Sequence, residues 1–490
     1  MKNFFEGAFI LLIFIIMINM VESKSENDQE TSLTIMILGA SGDLAKRKTY
    51  PSFFQMYTEG LLPKSFHIVG ISRSKLMVES IDPFLQKGTT EEQKKKFFSH
   101  CSFFDGGMNK EVYSKIKEKL GQVELANKDR MFILALPPSA FYSSTKTLKE
   151  EGFLEEIGGW RRVVVEKPIG HDTSSSKQLI EQLSSVLTEK QTYRIDHYLG
   201  KEVLQTLVRT RFENPILEAL WNKNHVKFVE ISFQESIGIE GRAYFDETGI
   251  VRDVVQNHLL QMFALVAMER PKDISDPSSI TDQKVAALRS ISPFSQSLSV
   301  IGQYDSYHQE PNVPHDSTTE TFFATVVTPN NERWRGVPFL LKASKALKDK
   351  LVEIRLHFHS SENQNNDQQL VFRVQPNESI FFENFIVKQP GLFDRSSRVN
   401  LDFSYSNRFP SVVIPDAYAK LYFDVIQGNQ FNFIRDDELL SSWEIVTPLL
   451  DFYKQNKVKP VVYKFGSDGP EIMHLIEKNS TISFQEEIFS

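Results

Sequence analysis

Arg194-Ile-Asp-His-Tyr-Leu-Gly-Lys201 places five side chains that carry charge or hydrogen-bond within eight residues. Burying such groups without partners is costly, so a packed core has little use for that density. A site that grips a phosphorylated, hydroxyl-rich molecule does: cations neutralise the phosphate, while imidazole and phenol supply directional hydrogen bonds. On its own the segment reads equally well as a charged surface turn. Three further stretches accompany it: Gly39-Ala-Ser-Gly-Asp-Leu-Ala-Lys46, Glu166-Lys-Pro168 and Asp253-Val-Val-Gln-Asn-His258. A glycine turn behind an apolar run offers backbone N–H groups and a helix N-terminus to a pyrophosphate. Without the full three-glycine spacing, a plain tight turn is the competing reading.

Positioning these groups requires a particular set of elements. Leu33–Leu38, Phe66–Ile71, Met131–Leu136 and Val163–Val165 read as strands, with a helical stretch running from the glycine turn through Tyr57. Strands alternating with helices predict a parallel sheet covered on both faces, an α/β Rossmann-like N-terminal domain. From Val226 the pattern changes to longer alternating runs at Val226–Glu235, Thr321–Thr328, Glu353–Phe358 and Leu370–Gln375. These predict an α+β C-terminal domain with a large, mainly antiparallel sheet. Arg252–Met268 reads as a helix carrying His258, and a lone histidine in such a helix is usually structural. At the end of the second strand, Ser72-Arg73 stands where an NAD-preferring domain usually has a carboxylate for the ribose hydroxyl. Beside a glycine turn the arginine favours a 2′-phosphate, so the expected cofactor is NADP.

The order and spacing of the four motifs resemble glucose-6-phosphate dehydrogenase, from about Thr34 to about Pro470. The resemblance implies oxidation of glucose 6-phosphate at C1 with reduction of NADP. It also implies roles residue by residue. His258 is the base, and Asp196 orients it and stabilises the imidazolium. His197, Tyr198 and Lys201 grip the phosphate, and Lys167 touches both sugar and nicotinamide. Glu235 and Asp253 accept from sugar hydroxyls, while Lys345, Lys350 and Gln375 complete the pocket. Gly39, Ala40, Ser41, Gly42, Asp43, Leu44, Ala45, Lys46, Arg73 and Lys167 hold the cofactor. Three positions depart from the family pattern: Phe141 follows the Leu-Pro-Pro turn in place of a tyrosine, Ser344 replaces a glycine, and Lys350 replaces an arginine. Taken alone, the run Lys342–Lys350 would be a solvated charged face. A non-catalytic NADP-binding regulatory protein of the same fold and the related glucose–fructose oxidoreductase group are the alternatives. The former sits poorly with filled catalytic positions, the latter with the Arg194–Lys201 segment.

The chain has 490 residues, 41% hydrophobic and 24% charged, which suits two or three globular domains. A net charge of −7 argues against nucleic-acid binding and requires an anionic ligand to find local cations. No cysteine–histidine cluster or P-loop supports metal or ATP chemistry. Cys101 is the only cysteine, so no intramolecular disulfide can form. Lys2 followed by the apolar run Ala8–Met20 reads as a signal peptide over residues 1–23, with a polar linker at 24–32. The expected domains are then 33–197 for the cofactor and 198–490 for substrate and oligomerisation, as a homodimer or homotetramer. The leader predicts the secretory pathway and the endoplasmic reticulum lumen, or else an organelle reached by a bipartite leader, with no membrane span once it is cleaved.

Overall fold

The structure, a computed structural model, describes residues 31–85, 88–242, 244–360 and 367–472. The expected leader and all but two residues of the expected linker lie outside the described residues. Two compact units emerge, Met1–Leu136 with Ser143–Val164, and Pro137–Tyr142 with Val165–Ser490. No described helix is long and apolar enough to cross a membrane.

The first sheet comprises β1 (Thr31–Leu38), β2 (Phe66–Ile71), β3 (Cys101–Phe104), β4 (Asn127–Leu134), β5 (Arg161–Val165) and β6 (Thr192–Arg194), in the order β3-β2-β1-β4-β5-β6. β1 runs parallel to β2 and to β4, and β2 parallel to β3. After its first residue β1 is buried throughout, as expected of a parallel strand covered on both faces. It begins at Thr31, two residues before the expected start, because Ser32 is buried there and accepts from the Leu125 N–H at 3.0 Å. The strand order reverses between β1 and β4, and a ligand crevice opens at such a switch point beyond the strands' carboxyl ends.

The second sheet has nine strands: β7 (Val226–Gln234), β8 (Ser299–Tyr304), β9 (Phe322–Val327), β10 (Phe339–Ser344), β11 (Leu351–Phe358), β12 (Gln369–Gln375), β13 (Ser379–Lys388), β14 (Ser396–Ser404) and β15 (Val461–Tyr463). Their order is β14-β13-β12-β11-β7-β10-β9-β8-β15. The sheet is mainly antiparallel, with parallel pairing of β7 to β10 and of β8 to β15. Parallel neighbours need a crossover connection. Between β7 and β10 that connection carries the helical segments Val251–Leu259, Leu260–Ala267 and Pro277–Arg289. Every residue of Leu260–Ala267 is buried, which anchors the preceding turns against the core. The helix expected over Arg252–Met268 is therefore present as Val251–Ala267, but its first nine residues, Val251–Leu259, form a wider π-helix. Gly249 precedes it at φ +71°.

The glycine turn after β1 has a strict steric requirement. Gly39 has φ +89°, and a Cβ there would lie 2.0 Å from the Ala135 carbonyl oxygen. Gly39→Ala is expected to destabilise the protein by about 3 kcal/mol or more, from left-handed strain plus the clash. Thermal unfolding checks this; an unchanged melting temperature would show that the turn relaxes without cost.

Candidate active site

Asp196 follows β6 and caps the short turn His197–Gly200, accepting from the Tyr198 N–H at 2.9 Å. Its Oδ1 lies 2.5 Å from His258 Nδ1. Both side chains are buried. Burial would raise the Asp196 carboxyl, but the adjacent His258 ring and their hydrogen bond hold it well below the usual carboxylate range. Burial lowers His258, with Asp196 opposing. With a carboxylate at Nδ1, the imidazole donates Nδ1–H and keeps Nε2 as an acceptor. Lys167 Nζ is 3.0 Å from that Nε2 and donates to the Asp253 carbonyl oxygen at 2.9 Å.

Asp253 and His258 are five residues apart. On an α-helix of roughly 3.6 residues per turn they would diverge by about 140°. A π-helix closes i→i+5 hydrogen bonds and so brings such a pair to one side. The widened segment Val251–Leu259 does this, and Lys167 reaches both residues.

Sheet register supplies the other half of the site. β7 and β10 pair in parallel with Ser344 beside Gln234, so the next residues, Glu235 and Lys345, leave the sheet side by side. Lys345 Nζ forms an ion pair with Glu235 and sits 3.6 Å from Asp253 Oδ2; Lys167 Nζ sits 3.6 Å from Asp253 Oδ1. The charges alternate along Lys167, Asp253, Lys345 and Glu235. Burial would raise Asp253, but Lys167 and Lys345 bring it below its ordinary value. Lys345, placed in the pocket by the resemblance, is only 2% exposed: the strand end turns it inward, towards two carboxylates, unlike the solvated face that the lysine run would give if taken alone. Lys350, the other lysine of the run that the resemblance places in the pocket, is exposed, as is Lys348. Leu351 pairs with Gln234 and Val352 with Gln375, which places Lys350 and Gln375 at the same end of the sheet as Glu235. Gln375 Nε2 donates to Tyr198 Oη at 2.9 Å. The Tyr198 ring lies 4.3 Å from the His258 ring, and Lys201 Nζ is 6.0 Å from the Tyr198 ring. His197 meets His258 edge-on at 4.7 Å, and burial lowers it well below the ordinary imidazole value.

Asp196, His197 and His258 present ligand atoms within 4.8 Å of one another, the geometry of a possible metal cluster. The Lys167 ammonium beside His258 opposes a second cation at this spot. Arg194, from the same dense segment, is buried, bonded to Glu189 at 2.8 Å and ion-paired with Asp436. That charge is structural. Two residues in the cluster were not assigned from the sequence. Tyr418 stacks on His197 at 5.9 Å, and its hydroxyl donates to Glu166 Oε2 at 3.4 Å. Burial pushes the Glu166 carboxyl up to about 8. Glu166 stood in a quoted motif, whereas no local signal ties Tyr418 to a segment so far away in sequence.

In the first unit, Gly39 and Ala40 N–H groups both donate to the Ile71 carbonyl, at 2.9 and 3.0 Å, and Gly42 N–H to Gly39 O at 2.9 Å. The glycine turn and Ser72-Arg73 therefore emerge together. Ala40 and Ala45 are buried, Gly42, Leu44 and Lys46 half-buried, and Asp43 is exposed in a 2.6 Å ion pair with Arg47. Ser41 Oγ is 3.2 Å from Ser74 Oγ, and Arg73 is exposed. A turn whose inner face admits no Cβ, with cations alongside, fits a dinucleotide phosphate. Phe141, on the second unit, is buried beside half-buried Tyr142.

Residues 36–206 match the family model "Glucose-6-phosphate dehydrogenase, NAD binding domain", and residues 208–485 match "Glucose-6-phosphate dehydrogenase, C-terminal domain". A relative from Dictyostelium discoideum named glucose-6-phosphate 1-dehydrogenase is 42% identical over 470 residues, spanning 91% of this chain and 94% of its own. A solved structure described as glucose-6-phosphate dehydrogenase in complex with its substrate glucose-6-phosphate superposes with a TM-score of 0.85 at 39% identity, covering 93% of this chain and 99% of that one. An Arabidopsis thaliana relative, 42% identical and covering 91% of both chains, is named as a cytoplasmic isoform. That name overturns the expected routing to the secretory pathway or to an organelle. The physical reason is that a short apolar run behind a single lysine is a weak compositional signal, whereas the likeness to the cytoplasmic relative extends over 473 residues. With its two halves matched in order by one family's two domains, and relatives of that name aligned over nine-tenths of its length, the chain belongs to the glucose-6-phosphate dehydrogenase family.

Proposed function

We propose that this protein oxidises glucose 6-phosphate at C1 to 6-phosphogluconolactone, with NADP as the hydride acceptor. The observation that carries the reading is the contact of His258 Nδ1 with the Asp196 carboxylate, which leaves Nε2 as the acceptor end of the ring, facing Lys167. A bound nicotinamide ring supplies the hydride acceptor. His258 Nε2 takes the proton of the C1 hydroxyl, the C1–H electron pair leaves as hydride, and the C1–O bond becomes a carbonyl. Asp196 stabilises the imidazolium that results. Lys167, which faces Nε2 in the free protein, yields this position to the C1 hydroxyl while remaining bonded at Asp253. The alternating row Lys167–Asp253–Lys345–Glu235 offers donors and acceptors to the sugar hydroxyls, and His197, Tyr198 and Lys201 are the proposed phosphate grip.

For the cofactor, the exposed Arg73 guanidinium beside the glycine turn, with the Ser41 and Ser74 hydroxyls, supports NADP over NAD. Association into a homodimer or homotetramer is proposed for the outer sheet edge, where β13 and β14 leave Phe385, Ile386 and Leu401 exposed.

Three outcomes test this reading. His258→Asn is expected to lower kcat by about 10²–10⁴ while leaving the substrate KM nearly unchanged. Near-normal turnover would show that another group is the base. The same histidine sets the pH profile. Its folded-state value lies below 6.5 and the neutral form is the active one, so kcat/KM should hold as pH falls through 6.5 and decline only below it. An acid limb centred above 6.5 would contradict the buried, neutral assignment. Arg73→Asp should shift the ratio of specificity constants from NADP towards NAD by about tenfold or more, because a carboxylate repels the 2′-phosphate and accepts from a free hydroxyl. An unchanged ratio would remove Arg73 as the discriminator.

A further inference from the structure

The segment Ser317–Thr321, just ahead of β9, is stitched by four hydrogen bonds to the stretch Asp246–Val251 that leads into the His258 helix. Ser317 Oγ donates to Asp246 Oδ1 at 2.5 Å, and Thr319 Oγ1 to the Asp246 carbonyl oxygen at 2.7 Å. The Ile250 N–H donates to the Glu320 carbonyl oxygen at 2.9 Å, and the Val251 N–H to Glu320 Oε1 at 3.2 Å. The fit is close. A Cβ on Gly249 would lie 2.3 Å from Glu320 Oε1, so the glycine is required by the carboxyl group as well as by its own φ of +71°. On its other side the same segment fixes Lys345, whose N–H donates to the Thr321 carbonyl oxygen at 2.8 Å. The Tyr463 hydroxyl ties Lys345 O and Thr321 Oγ1 together at 2.7 and 2.8 Å.

We propose that Glu320 is a positioning residue for substrate recognition. By holding the first turn of the Asp253–His258 helix against the segment that also holds Lys345, it sets the spacing between Asp253 and Lys345. The inference rests on the reading of that pair as contacts to the sugar. Glu320 is buried, and its carboxyl accepts from the N–H of Val251, the first residue of the helix. Burial raises its carboxyl above the ordinary value. A glutamine has an oxygen in the same place and should substitute for it. His258 has a separate tether in Asp196, so displacement of the helix start acts on sugar binding more than on proton transfer.

The test compares steady-state kinetics and melting temperature for Glu320→Ala, Glu320→Gln and Glu320→Asp. Glu320→Ala should raise the KM for glucose 6-phosphate about tenfold with kcat within about threefold, the pattern of a lost binding geometry. Glu320→Gln should restore KM to within about twofold of the parent, and Glu320→Asp should fall between them. An unmoved KM in Glu320→Ala, a glutamine variant as defective as the alanine one, or a fall in kcat and melting temperature without a change in KM would each overturn the proposal. Should the alanine variant fail to fold, the aspartate variant's KM decides in the same way. Turnover of glucose 6-phosphate by the unmodified enzyme tests the underlying reading independently.

Discussion

Four charges side by side in a partly buried site repel one another unless their signs alternate, and the C-terminal unit is arranged to keep them alternating. Removing one partner from a buried ion pair typically costs about 3–5 kcal/mol, because the other charge is left without compensation. Lys345 is held between Glu235 and Asp253, and Asp253 between Lys345 and Lys167. Loss of Lys345 would leave Glu235 without its partner, and loss of Asp253 would leave Lys167 without its own. The same condition limits what may bind: a ligand entering the row must replace the contacts it breaks, which a molecule dense in hydroxyl groups can do and an apolar one cannot.

That electrostatic condition explains local features that look unrelated in isolation. The parallel β7–β10 junction in a mainly antiparallel sheet brings Glu235 and Lys345 out side by side. The crossover that such a junction demands delivers the helical segment with Asp253 and His258. The π-helical widening brings those two residues to one side, and Lys167 reaches them both. Asp196 holds the imidazole from beneath. Each device places one charge where the next one needs it.

Much of this was legible in the sequence, and the failures have physical causes. β1, β2 and β7 announced themselves because an apolar or alternating run ended in a clear break. β13 did not, since Ile380-Phe-Phe382 and Phe385-Ile-Val387 are paired apolar blocks without period-two alternation. β10 was hidden by its company: Phe339-Leu-Leu-Lys-Ala-Ser344 runs into a lysine cluster that reads as surface. Within that cluster the sequence could not separate buried Lys345 from exposed Lys348, because the distinction arises from where the strand ends. The candidate site residues were picked out through motif order alone. Tyr418 and the support that Glu320 gives the helix were not, because each depends on contacts between segments distant in sequence.

The parts that meet at His258 come from far along the chain: Asp196 is 62 residues away and Lys167 is 91, while Lys345 is 110 residues from Glu235. Contacts between distant segments carry a loop-closure cost and tend to form slowly, after local turns and hairpins. During refolding, helices and strand pairs can therefore be present well before His258 has its carboxylate or the row its alternating charges. Enzymatic competence becomes a stringent report of completed folding, and a partly assembled chain would carry unpaired charges that disfavour its premature closure.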